Sequence, residues 1–305
     1  MIAFAIAGCG SEEQNNQSQS NALAPEPETV DRAVVHVTNY PLHYFAKRIA
    51  GDRVDLTYPI PEGIDPAYWS PSPDEVAEFQ NADLIFFNGA TYEKWAKNAT
   101  LPARKVVNTS KPFEDEWLEL EDAVTHSHGP GGEHAHTGID FNTWLDPQLA
   151  IQQAEVIKIE LVKIQPKDQD TFDKNFESLK SDLQGLHKSF ARATAGGGDV
   201  PLIASHPVYD YFARRYQLNL ESVHWEPDTM PGQGSWDDFL RLRQEHPART
   251  MIWEGDPDPA IADRLATIGM NGVVFHTCNN TPDEGDYLSV MKGNADRLRE
   301  IFESD

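Results

Sequence analysis

Two α/β lobes, each a small parallel sheet flanked by helices, joined by one long backbone helix, are the fold class this sequence predicts. Three observations lead there. Short apolar runs alternate with amphipathic stretches through residues 32–165, and the same alternation returns through 196–305. Between them runs a single stripe of large apolar residues at helical spacing. At 305 residues the chain is long enough for two lobes, each with a core.

In chain order, the first lobe offers strands at Ala33–Val37, Val54–Tyr58, Leu84–Asn88 and Lys105–Asn108. Helical stretches at Leu42–Ile49 and Pro73–Asn81 lie between them. Phe172, Phe176, Leu179, Leu183, Leu186 and Phe190 then fall four, three, four, three and four residues apart. That spacing places them on one face of a helix over about 167–193, an internal spine that Gly196-Gly197-Gly198 ends. The second lobe offers strands at Leu202–Ser205, Asn219–Val223, Thr250–Glu254 and Gly272–Phe275, with helices at Val208–Tyr216, Trp236–Glu245, Ala260–Ile268 and Tyr287–Phe302. The expected partition is a signal remnant at 1–9, a disordered tether at 10–31, a first lobe at 32–165, a linking helix at 166–195 and a second lobe at 196–305.

With 25 Lys+Arg against 49 Asp+Glu, the formal net charge is -24. That opposes nucleic acid as a partner, since its binding depends on cations at phosphates. It equally opposes docking on an anionic membrane through a basic patch. The two cysteines, Cys9 and Cys278, are too far apart and too few for a disulfide framework. Ile2–Ala7 is a short apolar run ending at Gly8-Cys9, followed by a polar stretch through Glu28. It is similar to the end of a bacterial lipoprotein signal, which implies lipidation of Cys9 and an extracytoplasmic, lipid-anchored protein. No Lys or Arg precedes the run, which is shorter than an ordinary signal core.

Chemistry concentrates near the middle. His126, His128, His134 and His136, four of eleven histidines, fall within a tract at 125–137 that leads into Trp144-Leu145-Asp146-Pro147. Imidazole is the commonest ligand for borderline metals, so the tract points to transition-metal handling. Motifs for an enzyme are missing: there is no His-Glu-x-x-His, Gly-x-Ser-x-Gly or phosphate-binding Gly-x-x-x-x-Gly-Lys.

Ordered motifs carry a resemblance. They are Val37-Thr38-Asn39-Tyr40-Pro41-Leu42, Gly63-Ile64-Asp65-Pro66 before Pro71-Ser72-Pro73, Ala82-Asp83-Leu84-Ile85 with Asn88-Gly89, the Trp-Leu-Asp-Pro turn, and His206-Pro207-Val208-Tyr209-Asp210-Tyr211-Phe212. Together they resemble the solute-binding proteins of bacterial zinc and manganese ABC transporters. The resemblance implies a monomeric receptor that takes a metal ion, zinc first and manganese or copper(I) next, to a membrane permease. It also implies four ligands, two from each lobe. Carried over position by position, the first two histidines are replaced by Ala67 and Asn142, the third is His206, and the closing aspartate position holds Thr277.

One ligand of four survives, which marks a degenerate site and leaves three repairs open. His276 and Cys278, on one face if they continue a strand, could join His206. Glu254 could face the same cleft, or pair with Arg264. The tract of four histidines could gather an ion in a mobile loop. Alternatively Tyr68, Trp69, Trp144 and Trp225 could line a cleft for an organic solute or metal chelate, with Asn142 and Thr277 as hydrogen bonders. The expected function is a metal importer's binding component; the alternative is a metal chaperone, sensor or receptor outside transport.

Overall fold

The computed structural model describes residues 1–5, 8, 32–127 and 133–303, without the side chains of 121–127, 133–137 and 303. Residues 32–305 form one compact unit. Strands β1 (Val34–Val37), β2 (Asp55–Thr57), β3 (Leu84–Phe87) and β4 (Val106–Asn108) build a parallel sheet in the order β2-β1-β3-β4. An antiparallel hairpin of β5 (Glu119–Ser127) and β6 (Glu133–Ile139) follows. The second parallel sheet has the order β10-β9-β7-β8, from β7 (Pro201–Ala204), β8 (Asn219–Ser222), β9 (Thr250–Trp253) and β10 (Asn271–Val274). The two-lobed α/β architecture read from the sequence is therefore the observed one.

Helix starts follow local chemistry. In α1 (Tyr40–Ala50), the Asn39 side chain accepts from Leu42 N–H at 2.9 Å and Pro41 sits in the first turn, so the helix begins two residues before the apolar pattern does. Ser72 and Glu75 form a reciprocal capping box at the start of α2 (Pro73–Asn81). Asp146 caps α3 (Pro147–Ile164), accepting from Gln148 N–H. Helix α3, which the sequence reading does not anticipate, pairs with the long helix α4 (Gln169–Ala193). The second lobe contributes α5 (Asp210–Tyr216), α6 (Gln233–Glu245), α7 (Pro259–Thr267) and α8 (Tyr287–Glu303).

Every residue of the α4 stripe is buried, in one core shared with α1, α3, α8 and one face of each sheet. Period-two alternation divides the strands between faces. Leu84 and Phe86 enter the shared core while Ile85 joins Trp69, Phe79 and Trp95 on the outer face of the first sheet. Ile252 likewise enters it while Met251 and Trp253 join Trp225 and Trp236 outside the second. Burial of each large stripe residue contributes roughly 1.5–3 kcal/mol. Leu183→Ala is expected to cost about 2–5 kcal/mol, by transfer and cavity terms together. Urea denaturation followed by circular dichroism checks this.

Candidate functional site

In open parallel sheets, ligand groups gather on loops beyond the carboxyl ends of strands. His206 follows β7, Glu226 follows β8, Glu254 closes β9 and His276 follows β10. Asp65, Ala67 and Tyr68 come from the loop after β2, and Asn88, Glu93 and Lys94 from the loop after β3. Backbone bonds from Ser205 N to Ile252 O and from Trp225 N to Ser205 O hold the second-lobe loops against the strand ends.

His206 is 2% exposed. Its Nδ1 lies 2.7 Å from Glu254 Oε1 and its Nε2 3.4 Å from Glu226 Oε1. Burial disfavours an imidazolium there, but the hydrogen bond to Glu254 and the charges of Glu254, Glu226 and Asp65 outweigh it and raise the pKa. The His224 ring stands edge-on, 5.9 Å from that of His206. Neither His224 nor Glu226 figures in the sequence reading. Both lie past the end of β8 at Ser222, on either side of the core residue Trp225.

Opposite, among the described residues, stand Asp65 and Tyr68 of the first lobe. Ala67 is buried, and its N–H donates to Asp65 Oδ1 at 2.9 Å. Asn142 spends its side chain on Asp140 Oδ1 at 2.8 Å. Lys94 Nζ lies 3.8 Å above the Tyr68 ring, and burial lowers its pKa against the charge of Asp65. The charges of Asp65, Glu254 and Glu226 all act on Tyr68, so the two walls face each other. A cavity of about 1020 Å³, whose lining includes Asp65, Glu254, Asp256, Asp283 and Glu284, adjoins this cleft. Such a lining attracts cations.

Hydrogen bonds beside the cleft tie the lobes together. Thr277 O accepts from Trp144 Nε1 at 2.8 Å, and Tyr287 Oη donates to Trp144 O at 2.7 Å. Asn280 Nδ2 donates to Pro61 O and Ile64 O, while its Oδ1 accepts from Tyr58 Oη.

Several expectations need correction. Strand β10 ends at Val274, so His276 and Cys278 do not share a strand face. His276 Nδ1 contacts Glu254 O at 3.1 Å. Cys278 takes a left-handed φ of 57° and is buried, which pushes its thiol up to about 12. Among the described residues, no three His, Cys, Asp or Glu are gathered as an ion-holding group. Trp69, Trp144 and Trp225 are core residues at 8%, 0% and 3% exposure, not cleft-lining rings. Arg264 stacks on Trp236, leaving Glu254 to His206. The expected mobile loop is, in backbone, largely the β5–β6 hairpin, which pairs His126 with His134 and Val124 with His136. His128 and Cys9, and the side chains of His126, His134 and His136, lie outside the described residues. With Cys278 buried and protonated, alkylation by iodoacetamide at pH 8 is expected only after denaturation, with no protection by zinc. Mass spectrometry reads both.

At the base of the hairpin, Asp140 is fully buried and its Oδ2 has no hydrogen-bond partner. Burial first, then the charge of Asp210, pushes its pKa up to about 8. An unfolded aspartate ionises near 3.9, so the folded protein holds the extra proton between about 4 and 8 and loses stability as pH rises through that window. Asp140→Asn is expected to match wild type near pH 4 and to exceed it by at least ~1 kcal/mol at pH 8. Thermal unfolding at the two pH values measures the gap.

Residues 35–301 match the family described as zinc-uptake complex component A, periplasmic. The chain belongs to this family. It is 28% identical to the high-affinity zinc uptake system protein ZnuA of Bacillus subtilis, over 97% of this chain and 93% of that one. Against the metal ABC transporter substrate-binding lipoprotein SsaB of Streptococcus sanguinis it is 27% identical, covering 87% and 88%. The zinc-binding lipoprotein AdcA of Streptococcus pneumoniae is 27% identical over 88% of this chain, which spans only 55% of that relative. Among solved structures, the metal-dependent lipoprotein YcdH of Bacillus subtilis superposes with a TM-score of 0.75 at 27% identity, covering 88% of this chain and 99% of that one. The Zn(II)-bound ZnuA-like domain of Streptococcus pneumoniae AdcA, at 22% identity and TM-score 0.73, shares the fold.

Proposed function

We propose that the protein is the solute-binding component of an ABC-type metal importer, with zinc as the cargo that it carries to a membrane permease. The observation that carries this reading is His206, an imidazole buried in the cleft of a family member and oriented by a carboxylate. A metal-ligating histidine commonly donates its other N–H to a carboxylate, which fixes the tautomer and raises basicity. The relatives named for zinc uptake and zinc binding support the cargo.

The finer parts extend the same reading. Cys9 is the site of lipid anchoring on the outer side of a bacterial membrane, and the protein works as a monomer. It makes and breaks no covalent bond. The histidines at 126, 128, 134 and 136 collect zinc for the cleft rather than replacing it. Zinc is preferred to manganese because an imidazole donor suits the softer ion.

Removal of the cleft imidazole is the test. Metal-stripped full chain is titrated with zinc, beside His206→Ala and a variant lacking residues 126–136. Wild type is expected to take one zinc in the cleft, and His206→Ala to lose more than about 100-fold in affinity, beyond what an orienting partner costs. The deletion is expected to keep that binding. Zinc affinity lost only with the hairpin deletion would place the protein among metal chaperones or sensors instead.

A further inference from the structure

We infer that Glu226 is a metal ligand standing in for the imidazoles missing at Ala67 and Asn142, and that Glu254 positions His206 for it. This rests on the cleft being a zinc site. The geometry assigns different tasks to the two carboxylates. Glu254 Oε1, 2.7 Å from His206 Nδ1, makes a short hydrogen bond and so directs Nε2 into the cleft. Glu226 Oε1 is 3.4 Å from that Nε2. This exceeds a good N–H···O distance, which is about 2.7–3.2 Å. It matches the edge of a zinc tetrahedron: bonds of about 2.0–2.1 Å at the tetrahedral angle set neighbouring nitrogen and oxygen donors ~3.3–3.4 Å apart.

The pair is also built to stay in place. His206 has a 3% exposed side chain and Glu226 a 20% exposed one. The backbone between β8 and Glu226 is pinned by the 2.7 Å bond from Trp225 N to Ser205 O, with the Trp225 ring in the outer core. Both donors thus come from the second lobe, on the loops that follow the paired strands β7 and β8. The first lobe contributes the negative charge of Asp65, which reaches His206. Two protein donors leave two tetrahedral positions for water or further side chains. One imidazole and one carboxylate also make a harder donor set than imidazoles alone, so discrimination between zinc and manganese narrows.

The test uses full-length, metal-stripped protein with zinc, read by competition with a chromogenic chelator, and with cobalt(II), read by its visible ligand-field bands. Glu226→Gln is expected to weaken zinc by at least about 100-fold and to alter the cobalt bands, while Glu226→Asp, which keeps a carboxylate, recovers part of the loss. Glu254→Gln is expected to weaken zinc by about 10–100-fold with the cobalt bands in place, as for an orienting partner. Thermal unfolding of the metal-free variants separates ligand loss from misfolding. Glu226→Gln protein that binds zinc within about twofold of wild type, with unchanged cobalt bands, overturns the assignment of Glu226 alone. Wild-type protein that takes up neither ion overturns the zinc-site reading beneath it.

Discussion

The stripe on α4 sets how the two sheets stand. A helix of 25 residues is about 37 Å long at 1.5 Å per residue, enough to span both lobes. Its buried face closes a core that runs from Val35 and Leu84 in the first sheet to Leu202 and Ile252 in the second. Close-packed interiors deform little, so a shared core fixes the strand ends of the two sheets opposite each other. The cleft is what lies between those ends. Its geometry is therefore a consequence of apolar packing some distance away, and no cleft residue has to hold the lobes by itself.

Polar ties then set the fine spacing. Asn280 clasps the 61–64 turn, Trp144 bonds Thr277 O, and Arg215 pairs with the buried Asp146 at 2.7 Å. On the first-lobe side, Glu93 accepts from Thr38 and from the N–H groups of Asn88 and Gly89, and Asn88 in turn bonds Phe141 O. Burial pushes Glu93 up to about 7 in that network. Gly89 is required there: at φ 82°, an added Cβ would meet Asn108 and Ser110 side chains at 1.9 and 2.4 Å. Ala67 and Asn142 are buried nearby, Ala67 N–H bonded to Asp65 and the Asn142 side chain to Asp140. The charges of Glu254, Glu226 and Asp65 all act on the one buried imidazole of His206.

Residue patterns made much of this legible, and the reasons for the gaps are physical. The α4 stripe, the strands and the His206 position depend on periodicity and on motifs, which one chain displays directly. Helix α3 escaped because its hydrophobicity is spread round the helix rather than along a stripe, with Leu149, Ala150 and Ile151 all buried. The hairpin escaped because His, Gly and Glu there mimic a loop composition while the backbone still pairs. His276 and Cys278 lie past Val274, where β10 ends and the chain turns through a left-handed residue, so strand alternation does not reach them. Glu226 and His224 escaped because a donor after a strand end has no motif, and β8 ends at Ser222.

Whether the cleft or the hairpin holds the ion is decided most directly by anomalous diffraction at the zinc edge from crystals of the zinc-loaded full chain. One peak about 2.0–2.1 Å from His206 Nε2 is expected, the ordinary zinc–imidazole distance. A cleft without a peak, beside strong density along residues 126–136, would contradict a transport site built on His206.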